Sequence, residues 1–194
     1  MLLTDEQKRA LLRIAQSRVR AAVAGEPWAP DAVDPALCER RGAFVTLKAA
    51  DGRLRGCIGY PEARYPLHES VARAAAAAAT EDWRFPPVTP EELGEIRIEV
   101  SALSPIEPVS DLSSIEVGKH GLVAEMGDRR GLLLPQVPGE YGWNREEFLS
   151  RTCEKAGLPP DAWRKGAKVY AFTAEVFGEQ DEQLTEGAQG PLDA

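Results

Sequence analysis

The feature that most constrains this chain is the run Leu54-Arg55-Gly56-Cys57-Ile58-Gly59, preceded by Asp51-Gly52 and followed by an alanine-rich segment. Asp51-Gly52 supplies the positive φ angles that a tight turn needs, which makes residues 44–48 and 53–58 the two arms of a hairpin. Side chains alternate along the second arm, so Leu54 and Ile58 share one face with Gly56 between them. Arg55 and Cys57 share the other, setting a guanidinium beside a thiol. Glycine weakens a strand and is kept where something approaches the backbone closely or the strand bends. Gly56 and Gly59 therefore mark either a site or a tight packing seam.

Taken in order, the chain frames that run with helices and strands. Thr4 and Gln7 read as a capping box before a helix with Leu11, Leu12, Ala15, Val19 and Val23 on one face, ended by Gly25 and Pro27. Residues 26–35 are an irregular connection that lays Trp28 on the core, and residues 42–48 form the first strand. Pro66 opens a helix running through Val71 and the alanines at 74–79, whose small side chains let it lie close to a neighbour. Residues 80–87 turn, and Thr89 with Glu92 boxes a short helix that ends at Gly94. Along 95–103, Ile96, Ile98 and Val100 alternate with Arg97, Glu99 and Ser101, which face a polar or cleft side. A short strand is expected at 115–117, a hairpin from 121–126 and 131–134, a helix from Asn144 to Gly157, and one last strand over 168–177. Hairpins mixed with helices outside strict βαβ alternation argue for an α+β fold with a mostly antiparallel sheet.

With 194 residues the chain can bury a core as one domain, 1–178, followed by an acidic tail, 179–194, expected to be disordered. Three separated cysteines, Cys38, Cys57 and Cys153, with no CxxC spacing argue for a reducing compartment, most simply the cytoplasm, and against a zinc site. No apolar run nears the ~20 residues of a membrane-spanning helix. A net charge of −8 disfavours a broad nucleic-acid surface and leaves room for a local basic cleft.

For chemistry, Cys57 is the candidate nucleophile or thiol acid, activated by Arg55, with Glu99 and His68 as groups that handle protons. Arg55, Gly56, Gly59, Asp82, Arg84 and Gln136 are the substrate-binding candidates. Each has a plainer reading. Free cysteine is among the most buried residue types, Arg55 can pair with Glu99 or Asp82 to hold the fold, Asp82 can cap a turn, and Gln136 can satisfy a loop backbone. Trp83, Trp143 and Trp163 either stack bases or fill a core. Neither histidine is spaced as a metal ligand, the glycine run is not a phosphate-binding fingerprint, and no cofactor is identified by the residues themselves.

Further segments carry a family resemblance: Gly42-Ala43-Phe44-Val45-Thr46-Leu47, the hexad at 54–59, Asp82-Trp83-Arg84-Phe85-Pro86-Pro87, Ile98-Glu99-Val100-Ser101, Gly118-Lys119-His120-Gly121-Leu122, Gly131-Leu132-Leu133-Leu134-Pro135-Gln136-Val137, and Cys153-Glu154-Lys155-Ala156-Gly157-Leu158 followed by Trp163. In these the chain resembles the AMMECR-type domain family over nearly its whole length. The resemblance implies a larger α+β part and a smaller subdomain enclosing a cleft. It also implies a three-part microbial system with a Memo-type protein, similar to a class of iron dioxygenases, and a radical S-adenosylmethionine enzyme, with RNA modification the role inferred for the family. Two functions are then expected. One is an enzyme or enzyme subunit that binds a small molecule or nucleoside around the hexad. The other is a non-catalytic adaptor that holds the Memo-type or radical S-adenosylmethionine protein.

Overall fold

The structure, a computed structural model, describes residues 2–30 and 33–179, and the described residues fall into two compact units, one up to 102 together with 175–179 and the other 103–174. The fold is α+β, and the strand pairings around both sheets are antiparallel. In the first unit, α1 (Asp5–Ala24) starts at the expected Thr4–Gln7 capping box and stops at Gly25 in the left-handed conformation. Strands β1 (Ala43–Lys48), β2 (Leu54–Tyr60), β3 (Arg97–Leu103) and β8 (Ala174–Gly178) form one sheet in the order β2-β1-β3-β8. Ala43, Val45 and Leu47 face a core shared with Leu11, Ala15 and Val19 of α1 and with α2 (Leu67–Thr80). Phe44, Thr46 and Lys48 take the opposite face and are only half-buried.

The alanines of α2 do the work their size suggests. Ala74, Ala75, Ala78 and Ala79 belong to the core, and the helix passes so near β2 that a Cβ on Gly56 would collide with the carbonyl oxygen of Ala78. Gly56 is thus the seam between strand and helix. Two details of the hairpin differ from the sequence reading. Its connection spans residues 49–53, closed by the Gly52 N–H to Ala49 carbonyl bond at 2.8 Å, so Asp51-Gly52 is the end of a longer turn. The register also slips: Leu47 pairs with Gly56 but Lys48 pairs with Leu54, leaving Arg55 as an extra residue. A bulge of this kind re-aims the side chain it carries and breaks the alternation. Leu54 consequently shares the Lys48 face and is 42% exposed.

The second unit holds a sheet ordered β4-β7-β5-β6, from β4 (Glu107–Pro108), β5 (Gly121–Met126), β6 (Arg129–Leu133) and β7 (Lys168–Phe172), with α3 (Val137–Tyr141) and α4 (Arg145–Lys155). Phe148 and Leu149 of α4 pack with Leu122 and Val169, and Asn144 with Glu147 makes the expected capping box. The strand expected at 115–117 is instead Glu107–Pro108, where proline is tolerated because β4 lies at a sheet edge. The single strand expected over 168–177 is two. Alternation continues through the run, but the ladder breaks at Thr173, and β7 and β8 belong to different sheets. Thr173 and Ser104 bond each other through the Ser104 N–H to Thr173 carbonyl and the Thr173 N–H to Ser104 Oγ, both at 2.9 Å. Trp28 is half-buried against α1, with its Nε1 donating to Ser17 Oγ at 3.0 Å. Of the tail expected from 179, only Glu179 lies among the described residues.

Backbone cannot step aside as a side-chain end can, so Gly56→Ala should lower the unfolding free energy by about 1–3 kcal/mol. Gly94→Ala, where a Cβ meets open space, should cost less. Urea midpoints of the two variants against the parent protein decide the matter; equal shifts would contradict the seam.

Candidate functional site

In antiparallel sheets, paired residues put their side chains on the same face. Cys57 pairs with Thr46, and Thr46 pairs with Glu99, so three strands align thiol, hydroxyl and carboxylate in one row on the face away from α2. The Thr46 hydroxyl donates to Cys57 Sγ at 3.4 Å, and Glu99 Oε2 accepts from Lys48 Nζ at 2.8 Å. Cys57 is half-buried.

β2 is an edge strand, which leaves alternate backbone groups without a strand partner. At Cys57 both are taken by side chains. Asp82 Oδ2 accepts from the Cys57 N–H at 2.8 Å, while the Arg84 guanidinium donates to the Cys57 carbonyl at 3.2 Å. The two side chains are locked to each other by Arg84 Nε to Asp82 Oδ1 at 2.9 Å and Arg84 Nη2 to Asp82 Oδ2 at 2.7 Å. This forked pair does what a neighbouring strand would do for one peptide unit. The Asp82 side chain is 3% exposed, and the Arg84 guanidinium holds its carboxyl well below the usual carboxylate range, helped by the N–H groups of Cys57 and Arg84 and opposed by burial. The turn is closed by the Phe85 N–H to Asp82 carbonyl bond at 3.0 Å.

The bulge turns Arg55 away from the thiol. Its guanidinium donates to Glu92 Oε1 at 2.6 Å and Oε2 at 2.9 Å, and to the carbonyls of Pro86 and Pro87 at 2.9 and 3.3 Å. Glu92 is held down to about 2 by Arg55, with the Thr89 N–H assisting. The expected placement of Arg55 as the thiol's activating neighbour is therefore corrected: the cation at Cys57 is Arg84, bonded to its carbonyl, and Arg55 fastens residues 86–92 to β2. Its partner is Glu92 rather than Glu99 or Asp82. Gly59 is explained by Phe44, whose ring lies where a Gly59 Cβ would stand.

Other sequence candidates are not brought to this row. His68 Nδ1 lies 3.1 Å from the Leu37 carbonyl, at the start of the helix that covers the opposite sheet face. Its helix was near the hexad in sequence, but the strand's two faces separate them. Gln136 is exposed at the start of α3 in the second unit, with no side-chain cap bond. Burial pushes the Cys153 thiol up, and Cys153 fills the core. Among the described residues no group of three or more His, Cys, Asp or Glu converges as a metal site, and no described helix is long and apolar enough to cross a membrane.

Two participants are absent from the sequence's site candidates, and a third is read there only as stacking on bases or filling a core. Thr46 was recoverable from hairpin register, Glu92 only from the bulge. The third is Trp83, which rides the tip of the Asp82–Phe85 turn with 90% of its surface exposed, while its neighbours on both sides are pinned to Cys57. Nothing in a sequence separates a tryptophan that fills a core from one held out of it.

Comparison with known proteins gives consistent results. The family model AMMECR1 matches residues 12–177. A protein of Thermococcus gammatolerans is 48% identical over 190 residues, covering 91% of this chain and 92% of its own length. Protein MJ0810 of Methanocaldococcus jannaschii is 47% identical over 186 residues, covering 92% of each. The crystal structure of protein PH0010 from Pyrococcus horikoshii superposes with a TM-score of 0.82 at 45% identity, over 91% of this chain and 93% of that one.

A carboxylate whose pKa is lower in the folded than in the unfolded chain stabilises the fold at pH values above its unfolded pKa of about 4, and that contribution fades as pH falls toward the folded value. Asp82→Asn should be less stable at pH 7 by roughly 1–3 kcal/mol, through loss of the charged hydrogen bonds. It should also lose less stability than the parent protein between about pH 5 and pH 2. Urea midpoints across that interval check both, and parallel pH profiles would remove Asp82 as the source.

Proposed function

The chain belongs to the AMMECR1 family, and on that premise we propose that it is a binding component of a modification system, holding a protein partner through the turn that presents Trp83. The observation that carries this reading is the 90% exposure of a tryptophan on a turn whose flanking residues are both fixed. A large aromatic side chain left in water forgoes the burial energy of its ring, and tryptophan is the residue most enriched where partner binding energy concentrates. Here the ordering cost of the contact is low, because Asp82 and Arg84 already hold the turn. Only the indole needs to be covered. The matching surface is an apolar pocket with a hydrogen-bond acceptor for the indole N–H. The Memo-type and radical S-adenosylmethionine proteins suggested by the family resemblance are the partners to try, with RNA or a small molecule as the material modified.

The row of Cys57, Thr46 and Glu99 favours a second reading, in which the same chain contributes chemistry. There Cys57 is the nucleophile or thiol acid, with its sulfur oriented by Thr46, and Glu99 handles protons. Asp82 and Arg84 would hold the Cys57 backbone in place for a substrate, while Gly56, Gly59 and Arg55 serve packing and the loop anchor instead.

Trp83→Ala should weaken partner binding at least tenfold, about 1.4 kcal/mol or more, in titration calorimetry, with thermal stability unchanged. Cys57→Ser should bind as the parent protein does. Undiminished binding by the Trp83 variant would overturn the adaptor reading. Loss of a modified product in the Cys57 variant, with binding intact, would establish the second.

A further inference from the structure

The same sheet face carries a cavity of about 290 Å³ that the turn at Trp83 does not use. Its walls come from the ends of three strands and the β1–β2 connection, including Lys48, Arg97, Glu99, Val176 and Glu179. Three of the four charged groups there have a bonding partner, and the fourth, Arg97, has none for its side chain. Lys48 Nζ gives one donor to Glu99 Oε2 at 2.8 Å. Glu179 accepts from Gln16 Nε2 at 2.6 Å and from the Ile98 N–H at 3.1 Å, which fixes both of its oxygens at the wall, and its charge offsets one of the two cations. Arg97 pairs with Lys48 in the strand ladder, and its side chain is exposed, with no hydrogen bond or ion pair to the side chain of another described residue.

What these pairings leave over is N–H donors rather than a net positive charge. Arg97 brings five N–H groups in a planar fork, and the Lys48 ammonium keeps two more. β3 is an interior strand of its sheet, a place where strands carry charge only at a face left for solvent or a ligand. A guanidinium fork fits two coplanar oxygens of one group, as carboxylates and phosphates present them. Val176, 42% exposed, gives the same cavity an apolar wall. The volume sits at the lower end of the range of small-molecule sites, roughly 300–1,000 Å³, which excludes a dinucleotide-sized ligand.

We propose that this cavity binds a small organic oxyanion, its carboxylate or phosphate held by Arg97 with Lys48 in support and its short apolar body laid against Val176. The site stands independently of the partner-binding role of Trp83. Glu99 acts in it as a brake, since it neutralises the ammonium that the anion would otherwise share.

The test titrates the full chain at low ionic strength with butyrate, acetate, butyl phosphate and inorganic phosphate, following amide and Arg Nε–Hε resonances in ¹⁵N-labelled protein. Butyrate or butyl phosphate should saturate the shifts around residues 48–52 and 97–99 and bind more tightly than acetate or phosphate, which lack the body that Val176 covers. Whichever of the two binds more tightly identifies the headgroup. Arg97→Gln should weaken binding at least tenfold and Lys48→Gln a few-fold. Glu99→Gln should tighten it, and Arg53→Gln, at an exposed site paired with Asp51, should leave it unchanged. Absence of saturable shifts with every probe, or equal affinity in the Arg97 variant, would overturn the proposal. So would affinity that falls alike in the Arg53 and Arg97 variants, which is the mark of general charge attraction.

Discussion

An edge strand presents backbone donors and acceptors with nothing to bind them, and in this chain the edge strand is the one that carries the hexad. The Asp82–Arg84 pair resolves that problem at Cys57 by taking the peptide N–H on a carboxylate and the carbonyl on a guanidinium, each side chain holding the other in place. Asp82 is nearly closed to water, where a lone carboxylate would be expensive. Its four N–H donors, one from Cys57 and three from Arg84, turn that burial into a fixed geometry. The turn at 82–85, the proline segment after it and the exposed Trp83 all take their positions from this pair and from its companion, Arg55 with Glu92.

Hexad residues thus divide their labour in a way that the motif alone conceals. Gly56 admits α2, Gly59 admits the ring of Phe44, and Arg55 is thrown outward by a bulge to anchor the loop that covers the edge. Each explains a residue type without appeal to a ligand. Cys57 is the chemically reactive residue that these roles do not use, half-buried beside a hydroxyl donor in a row that continues to Glu99. The hexad is therefore first a device for attaching a helix and a loop to one strand.

Much of the frame was legible in the sequence because it rests on local chemistry. Capping boxes at Thr4, Thr89 and Asn144, alternation along 43–48 and 97–103, and the hairpin at 121–133 depend on neighbours a few residues apart. The misreadings share one cause, which is that a sheet is assembled from distant segments. Alternation at 168–177 runs unbroken through Thr173, and only pairing partners reveal that it serves two sheets. Likewise Arg55 looked adjacent to Cys57 because alternation was assumed to hold across a bulge.

The sequence by itself determined the α+β class, the main helices and their caps, the existence of β1 and the need for small residues at 56 and 59, since backbone propensity and side-chain size act over short range. Tertiary structure alone decided where Arg55 and Arg84 point, which face receives Cys57, Thr46 and Glu99 together, and that Trp83 stays in water. Those outcomes depend on register, on one extra residue in one strand, and on hydrogen bonds between residues twenty-five or more positions apart in the chain. A one-residue change in register moves a side chain to the opposite face, and no local pattern records it.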